Sequence, residues 1–111
     1  MGVYVDALMP TAPSRKWPWP SACRLLADTR AEVVAFGRTM GLKPEWFQDR
    51  PDLPHFDLTP RTRAWAMRLG AVSCSRETVA LIMKRNRETR QKRQALEAAV
   101  AETAQLKGQS A

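Results

Sequence analysis

The hydrophobic pattern alternates between short apolar runs and stretches with helical spacing. Val3-Tyr4-Val5-Asp6 is a β-prone run ending in an acid, which predicts an opening strand with Asp6 at its carboxyl edge. Residues 10–21 break any period. Pro10, Pro13, Pro18 and Pro20 stand among Arg15, Lys16, Trp17 and Trp19, so an extended loop is expected there. From Leu25 the spacing turns helical: Thr29 and Glu32 have the spacing of a capping box, and Val33, Phe36, Gly37 and Met40 follow at i, i+3, i+4 and i+7. Gly41 supplies a left-handed stop. A connection rich in Pro and Asp, carrying Trp46, Phe47 and Gln48, leads to a strand over His55 to Leu58. Thr59-Pro60 then reads as a helix start, a hydroxyl cap followed by a proline where no N–H is needed. This helix runs to Leu69 and is closed by Gly70. Ala71 to Cys74 predicts a third strand, and Ser75 caps a third helix beginning at Arg76.

The order strand, helix, strand, helix, strand, helix predicts an α/β domain of two or three layers, built on a short parallel or mixed sheet with right-handed crossovers. Strand ends then meet at one sheet edge, so Asp6, Asp57 and Ser73 or Ser75 become neighbours. The domain is expected over residues 1–83. Residues 84–111 form a basic helical extension that projects and frays from Lys107 to Ala111. Leu96, Val100 and Thr103 keep a heptad-like rhythm there, but Asn86, Thr89 and Arg93 make its earlier positions polar, which argues against a continuous coiled coil.

Charge sharpens this picture. The chain of 111 residues carries a net charge of +7, and Lys84, Arg85, Arg87, Arg90, Lys92 and Arg93 against Glu88 alone account for +5 of it. Such a stretch is either a solvated helix face or a surface that neutralises nucleic-acid phosphates. Cys23 and Cys74 lack metal-knuckle spacing and read as small buried hydrophobes. With no signal-like or membrane-length apolar run, a soluble cytoplasmic protein is expected.

The candidate chemistry lies around His55 and Asp57, which alternation along a strand places on one face, with Phe56 and Leu58 on the other. Together with Asp6 they make a candidate catalytic and metal set for Mg²⁺ or Mn²⁺, suited to activating water against a phosphoester or nucleotide. Asp28, Trp19, Trp46 and Gln48 are candidate ligand neighbours. The simpler alternative is that His55 bonds Asp57 or a carbonyl while Asp6 caps a turn, and that Trp17 and Trp19 strap the core. Signatures of serine hydrolases, P-loop NTPases and Rossmann oxidoreductases are missing.

Val3-Tyr4-Val5-Asp6, Trp17-Pro18-Trp19, Ala22-Cys23-Arg24-Leu25, Trp46-Phe47-Gln48, Pro54-His55-Phe56-Asp57-Leu58-Thr59 and Gly70-Ala71-Val72 together resemble the short bacterial and phage family known as domain of unknown function 4031, over residues 3–83. The resemblance implies no established activity. The chain departs from that family's pattern at Arg24, where a histidine is common, at Phe56, where tyrosine is, and at Val33-Val34. If that histidine belongs to an active site, the site here is altered. Two functions follow as expectations: hydrolysis at a metal or phosphate site of Asp6, His55 and Asp57, or non-enzymatic binding of nucleic acid or a protein partner by the basic helix.

Overall fold

The computed structural model describes residues 2–109. Its elements follow as β1 (Val3–Val5), β2 (Met9–Pro10), β3 (Ser21–Ala27), α1 (Arg30–Met40), β4 (Phe47–Asp49), β5 (Pro54–Leu58), α2 (Pro60–Arg68), β6 (Val72–Ser73) and α3 (Arg76–Gln109), with one 3-10 turn at Pro44–Trp46. The chain is α/β. Its mixed sheet has the order β4-β5-β3-β1-β6, in which only β1 and β6 pair in parallel, and β2 pairs with the start of β3.

The central strand β3 departs from expectation. The pattern predicts helix from Leu25, yet Cys23, Leu25, Leu26 and Ala27 are buried in a strand covered on both faces. A strand buried on both sides loses the alternation that betrays strands in sequence. Inserting β3 between β1 and β5 makes both pairings antiparallel, so β1 and β5 run parallel to one another without touching. Their carboxyl ends therefore lie at the same sheet edge, as expected.

The sheet separates two apolar layers. On one face α1 and α2 bring Val33 and Ala66 against Val5, Cys23, Leu25, Phe56 and Leu58. On the other, Val79 and Ile82 of α3 pack on Leu26 and Leu53, flanked by Tyr4 and Cys74. Helix ends follow the local chemistry. Thr29 accepts from the Glu32 N–H, Gly41 takes φ 79° at the end of α1, and Thr59 and Thr62 form a reciprocal capping box behind Pro60. The Ser75 hydroxyl accepts from the Thr78 N–H at 3.2 Å. Within α1, Gly37 is needed for close approach: a Cβ there would stand 2.5 Å from the Phe56 ring.

The proline-rich loop differs in part from a strap over the core. Trp17 and Trp19 meet edge to face at 4.8 Å, and the Trp17 indole N–H donates to the Ser21 carbonyl, while Trp19 stays 42% exposed. The loop is also not extended as expected: Pro10 pairs with Ser21, the Thr11 N–H donates to the Pro20 carbonyl, and the Ser14 N–H donates to the Trp17 carbonyl across a tight turn, which brings the two rings together. Helix α3 runs unbroken through residues 83 and 84, and its docking contacts continue to Arg90. Residues 91–106 are all exposed. Of the segment expected to fray, residues 110–111 lie outside the described residues, and the helix is described to Gln109. Among the described residues no helix is long and apolar enough to cross a membrane.

Candidate functional site

Two polar regions stand out, one on the sheet and one beside it. The first arises from strand register. The Asp6 N–H donates to the Arg24 carbonyl and Arg24 pairs with Asp57, so Asp6, Arg24 and Asp57 form a row across β1, β3 and β5. One pair further along, His55 stands beside Gln48 of β4. All five residues lie on the face that α3 covers only in part.

Within this row Asp6 is 7% exposed and fully engaged. One carboxylate oxygen accepts from the Arg24 backbone N–H at 2.5 Å and the other from its Nε at 2.8 Å. Arg63 reaches from α2 to hold the same corner, donating to the Asp6 carbonyl at 3.0 Å and to the Ser73 hydroxyl at 3.3 Å. The imidazole of His55 is positioned by Nδ1, 2.7 Å from the Leu53 carbonyl, which leaves Nε2 at 3.4 Å from Asp57. A carbonyl partner makes Nδ1 the donor and fixes the ring orientation, turning Nε2 towards Asp57. Desolvation, reinforced by the negative charge of Asp6, pushes the Cys23 thiol up to about 12, and the same causes raise Cys74. Neither thiol is a nucleophile at neutral pH.

The fold thus brings the predicted trio Asp6, His55 and Asp57 onto one face, but with a guanidinium between the two acids. Among the described residues no three His, Cys, Asp or Glu side chains are grouped to hold a metal ion. The other candidates scatter. Asp28 lies just past the end of β3, four residues and about 13 Å from Arg24 by strand rise, where it accepts from Tyr4 at 3.2 Å. Desolvation and this bond raise the Tyr4 hydroxyl above its ordinary value. Trp19 belongs to the proline loop, and Trp46 is half exposed with the Lys43 ammonium 5.5 Å over its ring.

The second region is a groove of about 680 Å³ between the start of α1, the turn joining β4 to β5, and α3. Arg30, Arg50, Arg85, Arg90 and Arg93 line it. Several are held in place by acids. Arg30 makes a two-pronged pair with Asp49 at 3.0 Å on each prong, which holds the Asp49 carboxyl below its ordinary value. Arg85 donates to the Asp28 carbonyl at 2.6 Å. Arg87 and Arg90 converge on Asp52 at 3.1 and 2.6 Å, and Asn86 closes on the Asp52 carbonyl at 2.9 Å. Burial raises the Asp52 carboxyl, but the two arginines outweigh it and hold the group below its ordinary value.

Of the six basic residues predicted for the arm, Arg85, Arg87 and Arg90 therefore dock the helix while staying partly exposed. Lys84, Lys92 and Arg93 enter no ion pair among the described residues, nor does Arg50. Sequence reasoning missed Arg24 as a partner of Asp6, and Arg30 and Arg50 as groove residues. Only the register of β3, the placement of the start of α1 and the fold of the β4–β5 turn bring these to their sites.

No curated protein and no solved structure matches the chain. A family model does, over residues 3–86, and its limit is informative. It takes in the whole sheet, α1, α2 and the turns of α3 up to Asn86, the residue that closes on Asp52, and leaves the rest of the basic stretch outside. With about three quarters of its length so matched, the chain belongs to the family described as Protein of unknown function (DUF4031).

Proposed function

We propose that the protein is a nucleic-acid-binding module whose contact surface is the arginine groove, extended along Lys84 to Arg93 of α3. The observation that carries this reading is the groove itself. Five arginines line one concavity, and Arg85 and Arg90 are already ordered by Asp28 and Asp52. Preordered guanidiniums lose less conformational entropy on meeting a phosphate. Arg50, Lys84, Lys92 and Arg93 supply charge with no internal partner among the described residues, which suits the phosphate backbone and yields affinity that falls with salt. The triple substitution K84E/K92E/R93E is expected to lower affinity for a duplex oligonucleotide at least about tenfold, read by fluorescence anisotropy. An unchanged affinity would remove the reading.

Hydrolysis assisted by Mg²⁺ or Mn²⁺ at Asp6, His55 and Asp57 is the second reading. It is favoured by the shared face and by His55 Nε2 standing 3.4 Å from Asp57. Arg24 weighs against it, because a cation between the acids would have to displace a guanidinium that already satisfies Asp6. Calorimetric titration with Mn²⁺ separates the two: binding that is lost in Asp57→Asn would restore the metal reading.

A further inference from the structure

We propose that the protein self-associates through α3, with residues 94–106 of one chain packed antiparallel against α3 of a second copy. The proposal does not depend on the nucleic-acid reading, although it draws on the same Arg90, Lys92 and Arg93, and it rests on one stripe of the helix and the charge along it. Val79, Ile82, Asn86, Thr89, Arg93, Leu96, Val100 and Thr103 recur at alternating steps of three and four, which keeps them on one side. The first two are buried on the sheet, and Asn86 seals the rim of the domain against Asp52. Past Arg90 the helix leaves the domain, and only there do apolar residues return to the stripe. Leu96 is 65% and Val100 60% exposed, with Leu106 at 61% close by.

Residues 91–106 are all exposed, whereas most helical stability in proteins comes from packing an amphipathic face. Ala95, Ala98, Ala99, Ala101 and Ala104 favour the helix without burying anything. A partner that covers the stripe would supply the missing stabilisation.

Charge selects the partner and its direction. Residues 94–106 contain Glu97 and Glu102 and neither Lys nor Arg, whereas residues 84–93 carry a net +5. Parallel pairing would set basic stretch against basic stretch. An antiparallel crossing near Leu96 instead sets Glu102 of each copy level with Arg90 of the other and Glu97 within one turn of its Arg93. The chain thus carries both the apolar stripe and its own complementary charge. About 20 Å of helix from each copy makes a small interface, suited to a weak and concentration-dependent dimer.

Sedimentation velocity of the full chain from about 1 μM to about 1 mM protein tests this. The expected result is a monomer–dimer equilibrium, abolished by Leu96→Asp with Val100→Asp. Both positions are exposed, so the variant should keep the wild-type near-ultraviolet tryptophan dichroism. The pair Glu97→Lys and Glu102→Lys should weaken the dimer at least about tenfold. A wild-type chain monomeric throughout, or a dimer indifferent to the aspartates, overturns the proposal. Tighter dimers with the lysines would overturn the antiparallel arrangement.

Discussion

At the scale of single residues, Arg24 and Gly37 decide most. Asp6 is buried and its carboxylate depends on Arg24 for both contacts, so Arg24→Ala strands a charge in the sheet. The backbone N–H survives the substitution and Arg24 is partly exposed, so the expected loss is about 2 kcal/mol. Arg24→Lys should recover part of it, read from urea midpoints. Gly37→Ala presses a methyl group into the Phe56 ring, which is 3% exposed and cannot retreat. Better helix propensity offsets only part of that overlap, so a net destabilisation of about 1–2 kcal/mol is expected by thermal unfolding. The sequence alone indicated that His55 and Asp57 share a face, because alternation within one strand needs no tertiary knowledge. It hid the role of Arg24, whose meaning depends on which strands flank β3.

Among elements, the docking of α3 is the most sensitive to conditions. Arg87, Arg90 and Asn86 all converge on Asp52, whose carboxyl is held below its ordinary value despite partial burial. A carboxylate with a depressed folded pKa contributes its full stabilisation above its unfolded pKa and loses it as pH falls through the folded value. The α3 contact should therefore loosen below about pH 4. Asp52→Asn should mimic this at neutral pH, with faster hydrogen exchange at residues 85–93 and little change in the sheet. The helices were largely legible, because caps at Thr29, Thr59 and Ser75 and stops at Gly41 and Gly70 are local signals. Strand β3 was not, since burial on both faces erases its period.

The whole molecule is elongated, 62 × 29 × 25 Å, because α3 extends past a three-layer α/β body. Its basic character was plain from composition, but its distribution was not. Three of the six basic residues between Lys84 and Arg93 turn inward to acids of the body, and the groove gains Arg30 and Arg50 from elsewhere in the chain. Phosphate contacts by Arg50, Lys84, Lys92 and Arg93 should release about one counterion each. Anisotropy of a labelled duplex of arbitrary sequence, followed across a series of KCl concentrations, measures that number. A groove that binds the nucleic-acid backbone gives a slope of log affinity against log salt of about −3 to −4. A slope near zero, or no binding at low salt by a folded chain, would contradict it.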